Sequence, residues 1–256
     1  MSGSTLVSTG ELAANLVKWR VFDCRHDLAQ PALGEQQYRK GHIPGALFAS
    51  LERDLSGKKT GKNGRHPLPE PQDFEKWLEK TGLTPKDQVV CYDAGPGSMA
   101  ARLWWMLRWI GHDKVAVLDG GFAKWTKEGR QVTIDVPLFT PLNYPIKARK
   151  DFAVDVRAVE KADSLLLDAR APARYRGEQE PIDPVAGRIP GAANRFNMDN
   201  LTPEGTFKPS SVLKQELQSA LKGRAPSEVI HYCGSGVAAC HNLLAMEIAG
   251  LKGGKL

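Results

Sequence analysis

Cys233 closes a short apolar run, "VIHYC" (229–233), and Gly234, Ser235 and Gly236 follow at once. Beyond them, "VAACHNLLAME" (237–247) reads as a helix. Small residues at such a turn permit the backbone conformations that point successive N–H groups at one spot. The N-terminus of a helix adds free amide donors and a partial positive charge. A cysteine in that place is set up to act as its thiolate, the nucleophilic form. The same cradle of amides would hold an anion, such as a persulfide or a bound acid. Taken alone, Cys233 could equally be a free core thiol after a buried strand.

The rest of the chain bears on that choice, because it repeats itself. "VVCYDAGPGSMAA" (89–101) matches "VIHYCGSGVAA" (229–239), with Asp93 where the second stretch has Cys233. "VSTGEL" (7–12) stands before "VFDCR" (21–25) as "VDVRAV" (154–159) stands before "LLDAR" (166–170), and "GHIPGA" (41–46) matches "GRIPGA" (187–192). Asp23 and Asp168 are 145 positions apart, the two hexapeptides 146, and Asp93 and Cys233 140, so the second copy is shorter in its middle. Four stations in one order imply two copies of one fold. The expected domains are 1–138, non-catalytic with Asp93, and 139–256, catalytic, joined within the proline-rich "TIDVPLFTPLNYPIKARK" (133–150). One copy keeps the turn and the other keeps the turn with a thiol, which favours the nucleophile over the core cysteine.

The elements that must position this loop follow from periodicity. "QVVCYD" (88–93) and "EVIHYC" (228–233) read as strands, "PQDFEKWLEKTGL" (71–83) and "PSSVLKQELQSALKG" (209–223) as amphipathic helices, and "SMAARLWWMLRWIGH" (98–112) as a buried helix. Strands alternating with helices predict an α/β fold, each copy a mostly parallel sheet flanked by helices. Ligands of such sheets bind beyond the carboxyl ends of strands, where Cys233 sits.

Composition narrows the function classes. With 256 residues, 41% hydrophobic and 25% charged, the chain reads as globular, and its net charge of +6 suits anionic substrates. No basic and aromatic residues interleave, so no nucleic-acid partner is expected. No run of about 18 apolar residues occurs, and the N-terminal "MSGSTLVSTGEL" lacks an apolar leader core, so no membrane partner and a cytoplasmic location are expected. The cysteines at 24, 91, 233 and 240 form no C-x-x-C pair and read as reduced thiols. Cys24 and Cys91 read as small core residues, His231 as a satisfied core histidine, and Trp104, Trp105 and Trp109 as packing. Cys240 and His241 lack the spacing of a zinc site.

"CGSGVA" after a strand, "GHIPGA" and "GRIPGA", "LLDAR" and "YRGE" together resemble the rhodanese family of sulfurtransferases, and Asp in the first copy with Cys in the second is similar to its tandem-domain members. The resemblance spans essentially the whole chain. It implies a ping-pong reaction: Cys233 takes a sulfane sulfur from a small anionic donor, becomes a persulfide, and passes the sulfur to cyanide or a thiol, including a thioredoxin-like partner. No metal or organic cofactor is implied, and a monomer or homodimer is expected. Thiosulfate-using members tend to carry "CRKGVT" and mercaptopyruvate-using members "CGSGVT". The loop here is closer to the second, with Gly234, Ser235, Gly236, Val237 and Ala238 as the binding residues. Ala238 stands where the pattern has Thr, losing a hydroxyl worth about 0.5–1.5 kcal/mol if bonded.

The resemblance also implies supporting residues. Arg174 in "DARAPARYRGEQEP" (168–181) matches the arginine that faces the catalytic loop. The second arginine of a "PEPR"-like segment has no counterpart, leaving Arg188 or Arg195 as substitutes. A Ser–His–Asp group for proton handling would consist of Ser235, His66 in "NGRHPLP" and Asp54 in "ERDLSG", set between the domains. The alternative for that segment (56–67) is an exposed basic loop. Rhodanese-like phosphatases need Arg six positions after the cysteine; Ala239 stands there and excludes them. Aligning Gly111 with Gly250 puts Leu256 opposite Val117, so the catalytic copy lacks a match for "LDGGFAKW" (118–125) with Trp125. A strand end and a helix are therefore expected to be missing, which leaves a second class open: a catalytically weak sulfur-carrier or interaction module.

Overall fold

The computed structural model describes residues 5–161 and 163–256; residues 1–4 of the polar N-terminal stretch lie outside the described residues. The chain forms two compact units, which divide between Arg149 and Lys150.

The first unit runs β1 (Leu6–Val7), α1 (Thr9–Asn15), β2 (Arg20–Asp23), α2 (Leu33–Lys40), β3 (Ala46–Phe48), α3 (Pro71–Lys80), β4 (Val89–Tyr92), α4 (Ser98–Trp109), β5 (Val115–Leu118) and α5 (Gly121–Lys127). Local chemistry starts α1 sharply: Ser8 Oγ accepts from Glu11 N, while the Glu11 carboxylate accepts from Ser8 N at 2.8 Å. The strands pair in parallel in the order β1-β5-β4-β2-β3 among the described residues. Such strands must be covered on both faces. On one face Val21, Val90, Ala116 and Leu118 pack with Leu12 of α1 and Trp125 of α5. On the other, Phe22 meets Trp77 of α3. The expected helices over 71–83, 98–112 and 209–223 are present, each ending three residues earlier than the periodicity predicts. In α4 every residue from Ala100 to Leu107 is buried, and Gly111 at φ 94° lies just past its end.

The proline-rich segment after residue 138 packs on the first unit, whose last residue, Arg149, lies within the expected joining segment 133–150. Tyr144 is buried with its hydroxyl 2.6 Å from His112 Nδ1, Leu142 N donates to Glu79 O, Lys147 N to Ile110 O, and Arg149 pairs bidentately with Asp113. An extended segment has unspent amides and carbonyls, and the ends of α3 and α4 have unspent partners for them.

The second unit runs α6 (Val156–Lys161), β6 (Leu165–Asp168), α7 (Pro172–Arg176), β7 (Ala193–Asn194), α8 (Ser210–Ala220), β8 (Val229–Tyr232) and α9 (Val237–Ile248). β7, β6 and β8 are parallel, in that order. The last two residues extend this sheet. Lys255 bridges to Ile230, and Leu256 N donates to Phe152 O as Val117 N donates to Thr5 O. Leu256 thus takes the place of Val117, the register that the Gly111–Gly250 alignment predicts, and the start of that strand is paired. The core on the corresponding face is thin: Leu166, Ala192 and Ile230 are buried, while Val154, Val159, Tyr175 and Tyr232 are only partly so.

Candidate active site

The repeated motifs build one frame twice. Asp23 is fully buried at the end of β2, and Arg25 grips its carboxylate through Nε and Nη2 (2.9 and 2.6 Å) while donating to Gly41 O at 2.7 Å. Arg170 does the same to Asp168 (2.7 Å) and Gly187 O (2.6 Å). "D-x-R" therefore ties each strand end to the loop carrying the "IPGA" turn. A buried ion pair of this kind survives because its remaining donors are also satisfied.

Each frame presents one loop between strand and helix. In the first unit, five residues (93–97) join β4 to α4, and in the second, four (233–236) join β8 to α9. Gly97 (φ 86°) and Gly236 (φ 80°) sit at the N-caps in the left-handed region that favours glycine. Asp93 fills its cradle: Oδ1 accepts from Gly95 N (3.0 Å) and Gly97 N (2.9 Å), and Oδ2 from Met99 N (2.9 Å) and Ala100 N (3.3 Å). Burial pushes this carboxyl up, and the four amides pull it back. Cys233 Sγ occupies the matching place, accepting from Ser235 N at 3.4 Å and Gly236 N at 3.1 Å. Cys233 is half-buried, as are Gly234, Ser235, Gly236 and Ala238, and Val237 is buried in the first turn of α9. The sister loop thus turns its amides on a carboxyl group, and the second loop turns its own on a half-buried sulfur.

The arginines are less free than expected. Arg174 Nη2 donates to Glu180 Oε1 (2.6 Å) and Asp183 Oδ2 (2.9 Å). Burial opposes ionisation of Glu180, but Arg174 and the amides of Asp183 and Ile182 hold it down at about 2. Arg188 is exposed and lies over the Tyr175 ring, 4.5 Å from its centroid, much as His42 stacks on Tyr38 in the first unit. Arg195 is bound to Asn200 Oδ1 (2.9 Å) and Glu216 Oε2 (2.7 Å). Both substitutes for a second clamp therefore have structural partners.

His66 is 5% exposed and its Nε2 lies 2.8 Å from Glu52 Oε1. Asp54, the residue expected beside it, instead accepts from Ser50 N at 2.8 Å, closing a turn in its own backbone. Glu52 is the acid in contact with His66; both acids lie in "ERD", and no spacing rule distinguishes them. Burial pushes His66 below the usual imidazole range, with Glu52 opposing. The segment is not a loose basic loop at its base. The buried Arg102 of α4 donates from Nη2 to Leu55 O (3.1 Å) and His66 O (3.2 Å), and Gly57 N donates to Pro67 O. Residues 58–64 at its tip are exposed.

The remaining cysteines are buried, and Cys24 and Cys91 lie side by side with the Cys24 thiol pushed up by burial. His231 is buried but not satisfied, since both ring nitrogens lack a partner. No helix among the described residues is long and apolar enough to cross a membrane.

The sequence profile of the rhodanese-like domain matches residues 8–128 and 155–254. The chain belongs to the rhodanese family. It is similar over 98% of its length to a Pseudomonas aeruginosa protein named "Probable 3-mercaptopyruvate sulfurtransferase", with 45% identity and 91% of that relative covered. The thiosulfate sulfurtransferase of Mus musculus is 31% identical over 95% of the chain and 83% of its own length. Among solved structures, SseA of Escherichia coli, described with the fold and mechanism of 3-mercaptopyruvate sulfotransferases, superposes with a TM-score of 0.84 at 28% identity, covering 99% of this chain and 97% of its own. Both rhodanese units carry the family frame, and the amide-seated cysteine belongs to the second.

Proposed function

We propose that this rhodanese-family chain is a sulfurtransferase that takes sulfane sulfur from 3-mercaptopyruvate onto Cys233 and delivers it to cyanide or a thiol, in the cytoplasm. The observation that carries this reading is Cys233 Sγ seated on the amides of Ser235 and Gly236 at the mouth of α9. The thiolate attacks the donor sulfur, the carbon–sulfur bond breaks toward carbon, and the donor's thiol proton ends on that carbon, giving pyruvate and the Cys233 persulfide. The acceptor then attacks the outer sulfur, the sulfur–sulfur bond breaks, and the Cys233 thiolate returns. The loop's backbone donors hold the negative charge on sulfur in both steps. The loop carries no cationic side chain, which suits a monocarboxylate better than the doubly charged thiosulfate, and Arg174 is the counter-charge that the family motif supplies. Thiosulfate is the second donor, favoured by the similarity to the Mus musculus enzyme.

The test is sulfur transfer from both donors, with intact-mass measurement of the protein after donor alone. The expected result is a gain of one sulfur on the parent protein, none on Cys233→Ser, and faster turnover with 3-mercaptopyruvate. A parent protein that gains no sulfur from either donor rejects the reading and leaves the interaction-module alternative.

A further inference from the structure

We propose that His26, Glu52 and His66 form a binding site in the first unit for one divalent transition-metal ion of the zinc class. One ligand atom from each residue lies within 4.8 Å of the other two. Zinc bonds to imidazole nitrogen and carboxylate oxygen are about 2.0–2.2 Å long, which sets tetrahedral ligand atoms roughly 3.3 Å apart. Two imidazoles and one carboxylate match the borderline ions from iron to zinc, and three protein ligands leave a position open for water or a thiolate.

Besides the clustering of the three side chains, one observation points to a ligand. His26 Nε2 and His66 Nδ1 are buried without a hydrogen-bond partner, and His66 as a whole is 5% exposed. A buried imidazole nitrogen without a partner is costly, and a metal ion is one way to satisfy it. The segments that carry the ligands are also fixed. His26 follows the Asp23–Arg25 pair at the end of β2, and the loop bearing Glu52 and His66 is tied at Leu55, His66 and Pro67 to Arg102. His66 Nε2 already faces Glu52 Oε1 at 2.8 Å. For Nε2 to bind an ion, its proton moves to Nδ1, so on His66 the ion replaces the bond to Glu52, and the unpartnered nitrogen it satisfies is His26 Nε2. Lys59 Nζ holds the other carboxylate oxygen at 2.8 Å, which leaves Oε1 for the ion but neutralises part of the charge that would attract it.

The experiment uses full-length, untagged Cys233→Ser protein stripped with chelator, so that the reactive thiol is not a competing ligand. Zinc is titrated by calorimetry and cobalt by absorption. The expected result is one ion per chain, a cobalt spectrum of nitrogen and oxygen ligands without thiolate charge transfer, and at least about tenfold weaker binding in His26→Ala and Glu52→Gln. Lys59→Gln, at an exposed position that leaves the fold intact, is expected to tighten binding severalfold because Glu52 regains its full charge. Circular dichroism checks that each variant is folded. No saturable binding up to about 1 mM zinc, a thiolate-type cobalt spectrum, or binding unchanged in His26→Ala, Glu52→Gln and Lys59→Gln overturns the proposal.

Discussion

His231 stands two residues before Cys233 on β8, where the first unit has Cys91, and it has no partner for either ring nitrogen. Burial lowers it to about 4 from an ordinary value of 6.5. A histidine held neutral in the folded state takes up its proton more readily when unfolded, so stability is lost as pH falls from 6.5 to 4 and levels off below. The loss across that window amounts to about 3 kcal/mol. Unfolding by urea between pH 7 and 4 is expected to show it, and to show a flatter profile in His231→Leu; equal slopes in the two proteins would refute this. Arg174 poses the opposite case, a cation with two acids already on it. Asp183→Asn removes one competitor for an anionic donor. The KM for 3-mercaptopyruvate is expected to fall about two- to fivefold with kcat little changed, the equivalent of roughly 0.4–1 kcal/mol for a partly exposed pair. A raised KM would show that Asp183 serves the site by orienting Arg174.

At the scale of elements, the two strand–loop–helix turns solve one problem with different groups. Asp93 satisfies four amides at the start of α4, so Asp93→Ala leaves these buried donors unpaired. The expected cost is about 2–4 kcal/mol of first-unit stability, read by denaturant unfolding, with no effect on persulfide formation at Cys233. A change below about 0.5 kcal/mol would mean that water replaces the carboxylate at no loss. In α9 the cap is Gly236 at φ 80°, and Gly236→Ala forces a side chain into the left-handed region at about 1 kcal/mol. Because Gly236 N is also a donor to Cys233 Sγ, the same substitution is expected to slow sulfur uptake about tenfold or more. Unchanged uptake kinetics would show that Ser235 N alone suffices.

The whole chain is two units of unequal core. In the first, Leu12 and Trp125 cover a sheet face that in the second is closed by partly buried Val159, Tyr175 and Tyr232. The six tryptophans all precede residue 126, within the first unit, so their fluorescence reports that unit alone while far-ultraviolet dichroism reports both. On heating, the dichroism is expected to show an early transition that tryptophan fluorescence does not follow. Coincident transitions would rule out the weaker second unit.

Repetition, alternation of strand and helix, and the glycine-flanked cysteine were legible in the sequence because each rests on local spacing: a turn needs its glycines, and a parallel sheet needs its apolar runs. Even the register of the last residues, with Lys255 beside Ile230 and Leu256 in the place of Val117, followed from aligning the copies. Tertiary structure alone decided which acid meets His66, what occupies Arg174, Arg188 and Arg195, and that residues 139–149 pack with the first unit. Those choices depend on where loops of irregular length bring long side chains. Burial then makes each polar group take whichever partner is within reach, and neighbours in sequence do not reveal which one that is.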